Sequence, residues 1–229
     1  MAVSAIGKRQ LNSAKTRDKL IDAAVSLYGN SSMDAVSLRE IAVEAGQKNP
    51  NALQYHFGDR DGLLQAIIDK HSAQIGLLRD AYIWDTQEKK WSPGEAAARC
   101  LVMPIVDYME SNGDGVNFVR LVSQIAAVYQ NGTASGPAGG VNFPRTKSLE
   151  AVFNRALVSV SSREARRRIY LVVTITFHTL ADIYRTSQQT PTSPVANRKL
   201  MVDQLICLLE SFFSAPPRQV RWLRAKKSY

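Results

Sequence analysis

The chain has 229 residues, 45% hydrophobic and 21% charged, so it is long enough to bury a core and too apolar for wholesale disorder. Its two cysteines, Cys100 and Cys207, are far apart and outside any Cys-x-x-Cys pattern, which argues against a disulfide framework or a zinc site; no metal and no cofactor are expected. The formal charge of +9 gathers at the ends. Residues 1–19 hold Lys8, Arg9, Lys15, Arg17 and Lys19 against Asp18, residues 215–229 hold Arg218, Arg221, Arg224, Lys226 and Lys227 with no acid, and the stretch between is neutral on balance.

Basic arms of this kind suit phosphate contacts, although the C-terminal one fits a solubilising tail equally well. The opening Met-Ala-Val-Ser-Ala-Ile-Gly-Lys-Arg lacks the apolar core of a secretory signal. The most apolar run, 169–184, contains His178 and Asp182 and is too short to span a bilayer. A cytoplasmic protein with no membrane partner is expected, and the sequons at Asn30 and Asn131 are discounted.

In chain order, nearly every periodic segment repeats at three to four residues, and no alternating run is bounded by hairpin turns, so the fold class expected is all-α. A first helix is read over 16–28, with Leu20, Ala23, Ala24 and Leu27 on one face and Gly29 as its stop. Ser37-Leu-Arg-Glu40 is a capping box opening a second helix, which buries Leu38, Ile41, Ala42 and Ala45 and ends at Gly46. Asn49 as N-cap and Pro50 at the first helical position begin a third, and Asp59 caps a fourth that reaches about Gln74.

Longer, more apolar helices follow. Ser92-Pro-Gly-Glu95 opens one to about Ser111 with Pro104 inside it, and 115–130 forms the next. The Gly/Pro/Ala/Ser-rich stretch 131–144 reads as a loop, 149–160 as a helix, and Ser161-Ser-Arg-Glu164 as a third capping box starting a helix to about Ser187. After a turn at 190–194 a last helix is read from about Ala196 to Phe213, stopped by Pro216-Pro217. The run Arg166-Arg-Arg168 reads as a solvated helix face.

The pair 37–46 and 49–57 has the size and spacing of a helix-turn-helix, whose second helix enters the major groove of double-stranded DNA. Leu53 and Phe57, four residues apart, should pack inward and leave Asn51, Gln54 and Tyr55 outward. Asn and Gln can pair with both N6 and N7 of adenine, worth about 1–3 kcal/mol of discrimination each. Ser37, Lys48, Tyr55 and Arg60 suit phosphates, which set register more than sequence. His56 fits either a phosphate contact or a packed ring. Arg39, Asn49 and Ala52 complete the expected DNA-contacting set.

The block Ser37-Leu-Arg-Glu-Ile-Ala-Val-Glu-Ala-Gly46, the cluster Tyr55-His-Phe57 and Asp59-Arg-Asp-Gly-Leu-Leu64 resemble the N-terminal domain of TetR-family transcriptional regulators, as do Leu20-Ile-Asp-Ala-Ala24 and Leu27-Tyr28-Gly29. The resemblance covers roughly residues 14–74. It implies a homodimeric repressor with an all-helical C-terminal ligand-binding and dimerisation domain. The expected organisation is a basic arm over 1–13, the DNA-binding domain over 14–74, the effector and dimerisation domain over 75–215, and a basic tail over 216–229. Two departures from the commonest family pattern fall at the recognition element: an apparent extra residue with Pro50 in the turn, and Gly58 where many members carry a lysine.

In the C-terminal half, Ile169, Val172, Val173, Thr176, Phe177, Leu180, Ala181 and Tyr184 form one apolar stripe, and Leu205, Leu208, Leu209 and Phe212 another. Paired with their symmetry mates they would make a four-helix interface, with Ile169, Val173, Leu180, Leu205, Leu209 and Phe212 at its centre, though part of each stripe must serve the chain's own core. A dimer also follows from reading two half-sites about 34–36 Å apart. Candidates for a pocket holding a small, mainly hydrophobic effector are Trp84, Met103, Met109, Phe118, Val122, Tyr129, Phe177 and His178.

Catalysis is not expected. Gly132-Thr-Ala-Ser-Gly136 lacks nucleophile-elbow spacing, Gly113-Asp-Gly115 lacks the third glycine of a dinucleotide loop, and His56, His71 and His178 belong to no metal pattern. The alternative to an effector-controlled repressor is an architectural DNA-binding protein without an effector.

Overall fold

The computed structural model describes residues 2–49, 51–129, 141–144 and 146–217, with side chains from Gln10 onward except those of 127–129. Among these residues there are nine α-helices and no strand: α1 (Ala2–Asn30), α2 (Leu38–Glu44), α3 (Ala52–Phe57), α4 (Arg60–Glu88), α5 (Pro93–Ser111), α6 (Gly115–Tyr129), α7 (Lys147–Ala156), α8 (Ser162–Gln189) and α9 (Arg198–Ser214). Short 3-10 turns at Met33–Ala35 and Pro194–Ala196 join neighbours.

Local chemistry explains most boundaries. Ser37 and Glu40 form the reciprocal capping box, and the Ser92 and Ser161 hydroxyls accept from the N–H groups of Glu95 and Glu164. Pro93 starts α5, where a missing N–H costs nothing. Asp59 accepts from Gly62 N–H at the start of α4. Gly46, at φ 67°, ends α2 with its own N–H on Val43 O and that of Gln47 on Ala42 O, both at 2.9 Å, closing a Schellman motif.

Two helices outrun their expected limits. The helix read over 16–28 begins at Ala2, and the one read to about Gln74 continues to Glu88. Neither extension meets a breaker: 2–15 lacks proline, and Gly76 interrupts nothing. The loop residues 130–140 lie outside the described residues, as do Pro50 and the basic tail from Arg218. Segment 141–144 is irregular, and both main-chain groups of Asn142 bond the Gln65 carboxamide on α4, at 2.7 and 2.9 Å.

The N-terminal helices pack around Leu20, Ala24, Tyr28, Ile41, Leu53, Leu63 and Ile67, all buried. Behind them α5 is central, flanked by α4, α7 and α9, while α6 bridges α1 and α8. The Arg166-Arg-Arg168 run divides. Arg166 and Arg167 are exposed, but Arg168 is buried and donates to Phe212 O, Phe213 O, Ala215 O and Pro216 O while pairing with Glu164 at 3.2 Å. The end of α9 leaves carbonyls without helical donors, and one planar guanidinium supplies them.

Candidate nucleic-acid interface

The reading element is α2, the glycine turn and α3. Ala52 and Leu53 turn inward, while Asn51, Gln54 and Tyr55 are exposed, Tyr55 at 80%. Phe57 is half-buried, and the Arg17 guanidinium of α1 stands 4.8 Å over its ring. His56 is half-buried with its ring edge-on to Tyr55 at 5.0 Å. Partial burial first, and the nearby Arg17 charge second, hold His56 below the usual histidine range, so it presents a neutral imidazole at neutral pH.

The entry to α3 differs from expectation. The Asn49 carboxamide accepts from Asn51 N–H at 3.0 Å, and Asn49 O accepts from Ala52 N–H at 3.1 Å. Asn49 therefore caps a separate turn, and the helix itself starts at Ala52 with Asn51 before it. The other end has a physical reason for its unusual residue: Gly58 has φ 80°, and its N–H closes on Gln54 O at 3.0 Å. A lysine there would be strained.

The other expected DNA contacts divide by their prior engagements. Arg39, Lys48 and Asn49 are exposed. Ser37 is exposed too, but its hydroxyl accepts from Glu40 N–H at 3.2 Å, and its main-chain N–H first and its hydroxyl second, each at 2.7 Å, donate to Glu40 Oε2 and hold that carboxyl below its ordinary range. Ala52 is a packing residue, because its β-carbon lies in the interior. Arg60 is not a free phosphate ligand: its guanidinium donates to Val36 O at 2.9 Å and Met33 O at 3.4 Å, pinning the α1–α2 connection. Arg17, without an ion pair among the described residues and beside α3, was legible only as one charge among the basic arm.

Of the residues expected to face an effector, Met109, Phe118 and Val122 are buried, and Met103 and Phe177 are half-buried between helices. Trp84 is 67% exposed and His178 is exposed, so neither faces the interior: each sits on the solvent side of its long helix. The Tyr129 side chain lies outside the described ones. An open groove of about 340 Å³ lies instead between α4 and the α5–α6 corner, lined by Gln74, Leu77, Leu78, Tyr108, Ser111 and Asn112. Directly behind Tyr108, the buried His71 ring stacks on Phe118 at 4.5 Å, and its Nδ1 meets the Tyr108 hydroxyl.

The stripes assigned to dimerisation are split. Leu180, Leu205 and Leu209 are buried against the chain's own helices, while Ile169, Val173 and Phe212 are half-buried. The solvent faces of α8 and α9 carry Tyr170, Leu171, Leu200 and Leu208, each 43–55% exposed. No helix of the described residues is long and apolar enough to cross a membrane.

Residues 20–67 match the family described as bacterial regulatory proteins, tetR family. No curated protein matches the chain. Among solved structures, a TetR-family regulator from Streptomyces coelicolor A3 is similar at 15% identity over 88% of this chain and 96% of that one, with a TM-score of 0.44. The matched residues take in the buried face of α1, the capped α2, its glycine turn and the exposed α3, so the segment 20–67 is similar to a TetR-family DNA-binding domain.

Proposed function

We propose that the protein is a homodimeric repressor that reads a palindromic operator with α3 and leaves it on binding a small, mainly hydrophobic effector. The observation that carries this reading is the exposed trio of Asn51, at the entry to α3, and Gln54 and Tyr55 on it, the helix being anchored from beneath by Leu53 and Phe57. Gln54 reads base edges, and Tyr55, Lys48 and Arg39 take phosphates. The outward faces of α8 and α9, with Tyr170, Leu171 and Leu208, meet their symmetry mates in the dimer.

The effector enters the apolar interior between α5, α6 and α8, near Met103, Met109, Val122 and Phe177, and acts by shifting the dimer toward an arrangement that no longer matches the half-sites. Selection of bound fragments from random DNA tests the core of the reading. A two-fold symmetric site supports a dimeric repressor; bound fragments with no shared sequence indicate an architectural protein. The effector class is tested by thermal melting, and a stabilisation confined to highly charged metabolites would reject it.

A further inference from the structure

Helix α1 starts at Ala2, yet among its described side chains burial starts only at Leu20. From Gln10 to Lys19 every side chain is exposed except the half-buried Thr16. The stretch 2–19 rises about 27 Å at the α-helical pitch. Tertiary packing does not cover the described stretch 10–19, which leaves that face of the helix open to a partner.

Charge identifies the partner's chemistry. Lys15, Arg17 and Lys19 form no ion pair among the described residues, and Lys8 precedes Lys15 by seven residues, the spacing of one helix face that continues to Lys19. The acids that could neutralise them are engaged elsewhere: Lys70 of α4 holds Asp22 at 2.6 Å and Asp18 at 3.9 Å. The root of the stretch lies beside the reading helix, where Arg17 covers Phe57. Because the same helix continues into the buried Leu20–Tyr28 segment, the basic stretch is held at a set angle to α3.

We propose that the N-terminal half of α1 is a rigid basic arm that lies along the phosphate backbone of the duplex flanking the site read by α3. This inference rests on α3 being the DNA-reading helix. An arm of about 27 Å reaches past about 8 base pairs at 3.4 Å each. It thereby extends the footprint outward without adding base specificity.

The experiment measures binding of the full-length protein to its selected site with flanks of about 2 or about 12 base pairs, shorter and longer than that reach. The expected result is roughly tenfold or more tighter binding to the long-flanked duplex at low salt. Lys15→Gln/Lys19→Gln, which keeps helix-forming residues, should lower the log–log salt slope by about 0.9 for each phosphate left without its lysine, and only on the long duplex. Removal of residues 2–13, which takes away Lys8 and Arg9, should abolish the flank dependence while base preference stays unchanged. Tight, site-specific binding that ignores flank length, or an unchanged slope in the double variant, overturns the arm and leaves the reading of α3 standing. Absence of any site preference on either duplex overturns both.

Discussion

Gln124 of α6 accepts a hydrogen bond from Met33 N–H at 2.8 Å, and the same carboxamide donates to Tyr28 O at 2.8 Å and Ser31 O at 3.2 Å. One side chain thus ties the interior of the C-terminal half to the main chain between α1 and α2. Nearby, a β-carbon at Gly29 would overlap Asn117, so the two helices approach without room for a side chain. Gln124→Glu should cost about 2–4 kcal/mol, more than Gln124→Ala, because it places a carboxylate against two carbonyls. Urea unfolding measures both, and equal stability of the glutamate variant and the wild type would reject the clamp.

Arg168→Ala should destabilise by about 3–5 kcal/mol, since it strands the carbonyls at the end of α9 and leaves Glu164 only the more distant Arg167, at 4.0 Å. Arg168→Lys should recover only part, because an ammonium cannot span acceptors arranged around a planar fork. Hydrogen exchange at the last turn of α9 should quicken in both variants. Unchanged exchange in Arg168→Ala would contradict the role.

Burial first, and the Lys70 charge second, push His71 down to about 4, with Asp22 opposing. The folded state therefore favours the neutral ring. Above about pH 6.5 both folded and unfolded forms are neutral and the full stability is present; as pH falls from there toward 4 the unfolded chain takes up the proton first, and up to about 3 kcal/mol is lost. Stability measured across this window should fall less steeply in His71→Gln. An identical acid limb in the variant would remove His71 from the account.

The two faces of α9 should separate in mutagenesis. Leu208→Lys, on the outward face, should shift sedimentation toward monomer with little effect on secondary structure. Leu209→Ala, fully buried, should cost about 2–5 kcal/mol of stability. A Leu208→Lys protein that remains dimeric would place the interface elsewhere.

At the reading helix, Gln54→Ala should cost about 1–3 kcal/mol on the selected site and relax base preference at one position. Equal loss on random DNA would mean that Gln54 touches only the backbone.

What could be read from the sequence was what is local. The Ser37–Glu40 box, the left-handed Gly46 and the Asp59 cap are each decided by residues within three or four positions, and all formed as expected. Arg168 was not legible: its neighbours Arg166 and Arg167 are solvated, and its carbonyl acceptors lie 44 to 48 residues away. Arg60 misled for a similar reason, since its partners Met33 and Val36 precede it by two helices. The stripes of α8 and α9 showed that an apolar face exists but not whose surface covers it, so Leu205 and Leu208 looked alike. Ala52 shows the limit at the site itself, where the first residue of α3, expected among the contacts, lies in the interior.

Helix α4 begins one residue after the Asp59 cap that follows the reading element and runs unbroken to the exposed Glu88, with its buried side chains all between Leu63 and Ile75. Its 29 residues make a rod of about 43 Å. Such a rod turns a small angle at one end into a large excursion at the other: a tilt of about 5° carries the opposite end about 4 Å, close to the rise of a single base pair. On the proposed reading of α3, the packing of α4 between Leu63 and Ile75 therefore fixes register to the nearest base step, and a small tilt of the rod is enough to misplace the reader.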